Sequence, residues 1–317
     1  MKYVAYGMSK LLLMYMDHHE GNDKFDYIID NFTDIKEISG IPVYTESKLD
    51  SESLDDLMII LFAVSNTSII KIEEGLVSRG LVRYKNFMYY SDFFLDNFNE
   101  KMVDNGLGEL TDANYLLALE MNRNLNIPVH TTILGNALLL HLIDLTVNLV
   151  SPIVEIGAYR CGASKINMFK LLLNNDLRKY YIFDSFEGFP ILSKKDPESF
   201  KSGDYSTDIA FESIENEFLS NDRFKLVKGF VPDTFTYLNE EDCFSIVFYD
   251  ADLYQPALDT FAYFDGKIEK GGFLVIHDYE AEKNGFTGVK KATTEYFSDK
   301  DVNVFSFYEN TIAVVRF

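Results

Sequence analysis

Two short segments carry the residues best suited to chemistry. FSIVFYDADLYQP (244–256) opens into Asp250-Ala251-Asp252, and GGFLVIHDYE (271–280) opens into His277-Asp278. Together Asp250, Asp252, His277 and Asp278 form an oxygen-and-imidazole set for a divalent cation. Magnesium takes carboxylates and keeps several waters. An imidazole at one corner also suits manganese, iron or zinc. The plain alternative is an acid cluster that hydrogen-bonds loop amides and holds no ion. Both segments begin as apolar strands, so packing does not account for polar pairs at both tips.

A third segment, IVEIGAYRCGAS (153–164), supplies a ligand turn. Ile153, Val154 and Ile156 form a short apolar run that contains Glu155. Small residues follow at Gly157, Ala158, Gly162 and Ala163, and then a helical stretch. Strand, tight small-residue turn and helix in that order make room for a nucleotide-like ligand at a strand's carboxyl end. Without Cβ atoms at Gly157 and Gly162, backbone can approach a ligand closely. The spacing is E-x-G-x-x-x-x-G, with no G-x-G-x-x-G and no Gly-Lys-Ser/Thr. That favours a nucleoside with a zwitterionic tail over a pyrophosphate. YYIFDSFEGFP (180–190) is a second strand, ending at Asp184, 22 residues beyond Gly162. A carboxylate there accepts from both hydroxyls of a ribose. Parallel strands bring their carboxyl ends to one edge, so Glu155, Asp184, Asp250 with Asp252, and His277 with Asp278 are expected on that edge.

VEIGAYRCGAS, IFDSFEGFP, KGFVPDTF (228–235), FYDADLYQP and GGFLVIHDYE occur in one order along the chain. Together they resemble the macrocin O-methyltransferase (TylF-type) family of S-adenosylmethionine-dependent sugar methyltransferases, over about residues 110–317. The resemblance implies a class I methyltransferase Rossmann-like sheet with a C-terminal β-hairpin. It implies S-adenosylmethionine as cofactor, magnesium beside the acceptor, and a hydroxyl of a sugar or glycoside as the methylated group. Carried over by motif position, the cofactor set is Glu155, Gly157, Ala158, Gly162, Ser164, Asp184 and Ser185. Asp250 and Asp278 take the metal role, and Asp252 the place of the catalytic base. The family usually shows two acids where this chain has His277-Asp278, so His277 is a candidate both as ligand and as base. The D-A-D tip is also similar to the cation-dependent catechol and caffeoyl-coenzyme A methyltransferases, which makes small phenols the competing acceptor class.

Such chemistry asks little covalent work of the protein. A methyl on a sulfonium is already activated, so the acceptor oxygen must be held in line with it. A sugar hydroxyl has a high pKa, which a cation lowers while a nearby carboxylate or imidazole takes the proton. No G-x-S-x-G elbow is present. Cys161 reads as a small residue in a tight turn, since no partner base is evident.

The elements that must position these groups follow from pattern. A length of 317 residues suggests two domains: a smaller Rossmann-like α/β unit over 1–105 and the methyltransferase domain over 106–317. In the first, KYVAYG (2–7), FDYIIDNF (25–32), GIPVYTESKL (40–49) and LMIILFAVS (57–65) read as strands. Lys10 to Met16 and Ser68 to Arg79 read as helices, the latter stopped by Gly80. Its glycine turn is degenerate around Gly7, so a scaffold or homo-oligomerisation role is expected in place of a second cofactor site. The boundary is set at the polar stretch 97–112. Helical material over 113–150, interrupted at Pro128, leads into the second sheet.

A net charge of −21 with no basic block argues against a nucleic-acid partner. Two cysteines build no disulfide framework. No apolar run reaches the roughly 18 residues that span a bilayer, and the first residues lack a cleavage site, so a soluble cytoplasmic protein is expected. PILSKKDPESFKSGDYSTD (190–208) reads as a lid over the acceptor, and His130 as a capping or surface histidine within reach of it. NVFSFYENTIAVVRF (303–317) predicts a hairpin turning at Glu309-Asn310 that adds an antiparallel edge strand. Beside the sugar and phenol readings stands a third, a non-catalytic scaffold that binds a nucleotide-like ligand within a glycan-modifying complex.

Overall fold

The computed structural model describes residues 1–18, 25–207, 211–218, 221–239, 242–279, 287–307 and 311–317. Two mainly parallel sheets form the frame. The first holds β1 (Lys2–Tyr6), β2 (Tyr27–Ile29), β3 (Glu37–Ile38), β4 (Ile41–Tyr44), β5 (Leu57–Leu61) and β6 (Phe87–Tyr89), in the order β3-β4-β2-β1-β5-β6. Only β3 runs antiparallel to its neighbour. The crossovers include α1 (Lys10–His18) and α2 (Asn66–Ser78). Helix α2 starts where Ser65 accepts from the Ser68 amide and stops before Gly80, whose φ of +85° suits glycine.

Three helices lead on: α3 (Tyr90–Asp104), α4 (Asp112–Asn124) and α5 (Ile133–Leu145). The expected boundary stretch 97–112 is therefore half helix, because Phe98 and Met102 are buried on one face of α3. Pro128 does interrupt the lead-in, between α4 and α5. Helix α5 is apolar nearly all round and buried over Ile133 to Ile143. Its side chains join those of the first sheet and one face of the second in a single buried cluster. Phe98 of α3 packs on Phe307 of the second sheet, ring centroids 5.0 Å apart.

The second sheet contains β7 (Ile153–Ile156), β8 (Tyr180–Asp184), β9 (Phe224–Lys228), β10 (Phe244–Tyr249), β11 (Ile268–Ile276), β12 (Val304–Phe307) and β13 (Ile312–Arg316), in the order β12-β13-β11-β10-β7-β8-β9. Its helices are α6 (Gly162–Leu173), α7 (Phe211–Phe218), α8 (Tyr254–Phe264) and α9 (Thr287–Phe297). Strand β10 is buried along its whole length, as a central parallel strand covered on both faces must be. The C-terminal strands pair antiparallel as expected, but the edge belongs to β12. Strand β13 runs antiparallel between β11 and β12. Its Ile312 to Val315 are all buried, which fits an interior strand, whereas β12 is half-covered. The expected turn at Glu309-Asn310 lies outside the described residues. Among the described residues no helix is long and apolar enough to cross a membrane.

Candidate active site

The carboxyl ends of β7, β8, β10 and β11 share one edge, and a cavity of about 310 Å³ opens there. Glu155, Gly157, Ala158, Gly162, Asp184 and Ser185 line it, as do Asp250, Asp252, His277 and Asp278. Of the residues expected in the site, Ser164 alone stands off the wall. It is fully buried, and its Oγ donates to Glu155 Oε1 at 2.9 Å.

The glycine turn is built for the protein's own chain. Gly157 has φ +90°, and a Cβ there would overlap the carbonyl of Asp250. A Cβ on Gly162 would stand 2.7 Å from Pro128 O and 3.0 Å from Val129 Cα. Both glycines line the cavity, and each is also required by contact within the chain, Gly157 with the Asp250 tip and Gly162 with the 125–132 loop. Cys161 enters α6 in the left-handed region at φ +59° and is buried, and burial pushes its thiol up, away from nucleophilic use.

Glu155 is 1% exposed. Burial pushes its carboxyl up to about 8, against the pull of hydroxyls donated by Tyr180 and Ser164. Asp184 binds the turn itself. Its Oδ2 accepts from the amides of Ala158 at 2.8 Å and Tyr159 at 2.7 Å, and its Oδ1 from Phe186 at 2.6 Å. Desolvation nevertheless raises its pKa. A carboxylate offers about four lone-pair sites, so three accepted bonds leave about one further site on Asp184. Ser185 donates to Gly188 O at 2.9 Å and accepts from the Glu187 amide, closing the turn after β8.

On the other half of the edge, His277 Nδ1 lies 2.8 Å from Asp250 Oδ1 and 3.0 Å from Asp278 Oδ2. His277 and Asp278 are buried, and Asp278 takes a left-handed φ of +56°. Burial pulls the imidazole pKa down, but the carboxylates of Asp250 and Asp278 prevail and raise it to about 10. One donor atom from each of the three residues lies within 4.8 Å of the others. The spacing of this nitrogen from both oxygens serves hydrogen bonds from a protonated imidazole and, once that proton is lost, also donors around an ion bound at about 2.1 Å. His277 Nε2 is buried without a hydrogen-bond partner among the described residues, a second polar atom open to a ligand. The triad fits a divalent cation. Asp252, at φ +61°, sits on the same cavity wall.

The remaining walls come from two loops. The 125–132 loop brings Pro128, His130 and Thr131. Helix α5 starts later than His130, capped by Thr132, whose hydroxyl accepts from the Gly135 amide. His130 is exposed and packs edge-on to Tyr159 at 5.3 Å. The segment after β8 folds back across the opening. Phe189 and Gly203 exchange backbone bonds with Asp204 and Phe189, and Gly188 is pressed against Gly203 and Asp204. Tyr205 meets Tyr159 at 6.0 Å and Phe189 at 5.1 Å. Asp196 anchors the segment by accepting from the Tyr254 amide at 2.7 Å. Tyr159 and Tyr205 were missed in sequence, because 20 tyrosines offer no signal for which reach a cavity.

The family model of macrocin-O-methyltransferase (TylF) matches residues 128–305, more than half of the chain. The solved calicheamicin methyltransferase CalS11 aligns with a TM-score of 0.51 at 17% identity, covering 65% of this chain and 91% of that one. The O-methyltransferase NovP aligns at 0.47 and 19%, covering 71% and 98%. The SAH-bound Podospora anserina methyltransferase PaMTH1 aligns at 0.41 and 15%, covering 65% and 88%. At 17% identity the likeness to CalS11 is one of fold. No curated protein matches the chain significantly.

Proposed function

The chain belongs to the macrocin O-methyltransferase (TylF) family and is an S-adenosylmethionine-dependent O-methyltransferase; from that premise we propose that its acceptor is a sugar or glycoside hydroxyl and that a divalent cation assists the transfer. The observation that supports this reading is the meeting of two devices on one cavity. The turn after β7, with Asp184, lies against the tip of β10, and that tip begins with Asp250 of the acid–histidine triad.

The cofactor supplies a methyl already activated by its sulfonium. A divalent cation held by Asp250, His277 and Asp278, magnesium first among candidates, would stabilise charge developing on the acceptor oxygen. Asp184 uses its remaining lone pair to fix the ribose, and the turn amides it already binds stay in place. Glu155, whose carboxyl burial holds protonated in the free chain, would ionise against the ammonium of the methionine part. Asp252 takes the acceptor proton; His277 is the alternative base only where it does not ligate, since an imidazole bound through Nδ1 carries its proton on Nε2. The folded-back segment with Tyr205 narrows the opening and shields the transfer from water.

A small phenol would call for a narrow, wholly apolar slot. His130, Thr131, Tyr159, Tyr205 and Asp252 stand among the lining residues beside apolar Phe189, Phe230, Val231 and Leu253, so the wall is not wholly apolar and has polar groups for an acceptor with several hydroxyls. The test is transfer of labelled methyl to matched panels of glycosides, nucleotide-linked sugars and catechols. Label on sugar oxygens supports the reading, and label on catechols alone overturns it.

A further inference from the structure

One buried side chain of the N-terminal unit reaches the loop beside the cofactor edge. Asn66, the first residue of α2, is 1% exposed and uses every hydrogen-bonding position of its amide. Its Nδ2 donates to Leu125 O at 3.2 Å and to Ile127 O at 3.0 Å. Its Oδ1 accepts from the Thr67 amide at 2.8 Å and from the Val129 amide at 3.3 Å. Three of these partners lie on the loop between α4 and α5.

That loop is wedged against the site on its other side. Pro128 O and Val129 Cα crowd Gly162 at the start of α6. Pro128, His130 and Thr131 line the cavity, and the Thr131 hydroxyl points to Asp250 Oδ2 at 3.5 Å. Val64, two residues before Asn66, lines the same cavity. A loop without regular structure has no ladder to fix it, so three bonds to the Asn66 amide, with the Asn136 Nδ2 bond to Thr131 O at its far end, hold its position.

We propose that Asn66 is a positioning residue for methyl transfer, and that the N-terminal unit serves the active site by bracing the 125–132 loop against the cofactor turn and the Asp250 tip. The residue lies outside the part of the chain that matches the family model. The proposal rests on the cofactor reading for one of its two readouts.

Losing Asn66 also costs stability, so the comparison needs a matched control. Asn114 is equally buried and also ties helices together, through Asp144 Oδ2 and Lys170 Nζ, each at 2.8 Å. Lys170 lies eight residues along α6 from Gly162, about 12 Å from the turn. Asn66→Ala, Asn66→Asp and Asn114→Ala are compared with wild type by thermal melting, S-adenosylmethionine calorimetry and amide exchange of the ligand-free protein. Asn66→Asp keeps the size and the acceptor and loses the two donors, so it reads the brace if the alanine variant does not fold. The expected result is cofactor affinity at least tenfold weaker in the Asn66 variants. Exchange at residues 125–131 should be at least tenfold faster. Asn114→Ala should stay within twofold of wild type on both, whatever its melting temperature. Folded Asn66 variants with wild-type exchange and affinity overturn the proposal, as does an equal loss in Asn114→Ala. A wild-type protein that binds no S-adenosylmethionine would fault the cofactor reading, and the exchange data would still decide the brace.

Discussion

His277 Nδ1 stands 2.8 Å from Asp250 Oδ1, although the two residues end neighbouring strands and are separated by a whole helical crossover. Parallel register between β10 and β11 pairs Tyr249 with Ile276, so the residues that follow each are carried to the same level. The sheet, not local sequence, makes the candidate metal site.

His277 can be assigned by substitution. If it is a ligand, His277→Ala lowers metal affinity and turnover together. If it acts only as the base, metal affinity stays within about twofold and turnover falls 10²–10⁴-fold, the range of general-base catalysis. Metal titration monitored by calorimetry, alongside kcat, separates the two.

Asp184→Ala should weaken S-adenosylmethionine by about tenfold or more, the 1.5–3 kcal/mol of a charge-assisted hydrogen bond. The structure adds a second source of loss, because the Ala158 and Tyr159 amides lose their acceptor. Unchanged calorimetric affinity would remove Asp184 from the cofactor site.

Glu155 makes stability depend on pH in a definite direction. Its carboxyl titrates near 4.5 unfolded and is held up to about 8 in the fold. Between those values the folded chain binds the proton and the unfolded chain releases it, so stability falls as pH rises through that window. Below 4.5 its stabilising effect is complete, and above 8 no further loss occurs. Melting curves of Glu155→Gln should lack this component, so the variant gains on wild type as pH rises from 5 to 8. A constant difference across that range contradicts a raised pKa at Glu155.

Asp196→Ala should loosen the segment that folds over the cavity, since Asp196 caps the α8 start through the Tyr254 amide. The expected effect is an acceptor KM raised several-fold, with S-adenosylmethionine affinity unchanged by calorimetry. Equal loss of both would mean that the segment supports the whole edge instead of the acceptor side.

Much of this was legible in the sequence, and for one reason: buried parallel strands read as apolar runs, and their first polar residue marks the functional edge. Asp184, Asp250 and His277 were found that way. The glycines were found too, but a turn motif does not reveal that the Asp250 carbonyl and Pro128 lie against them. Ser164, carried over by motif position, bonds Glu155 from behind instead of standing on the cavity wall. The interior place of β13 depends on which strand it pairs with, a non-local fact that alternation in 303–317 does not carry. Asn66 was invisible for the same reason: its partners lie some sixty residues away.

The central claim, a cation held by the acid–histidine triad for methyl transfer to a sugar oxygen, is tested most directly by metal depletion and add-back in the glycoside transfer assay. The account predicts that chelator-treated enzyme loses most of its turnover, that magnesium or manganese restores it, and that Asp278→Ala cannot be restored at the same concentration. Full-rate methylation by chelated enzyme would contradict it, leaving Asp252 or His277 to act by general-base catalysis alone.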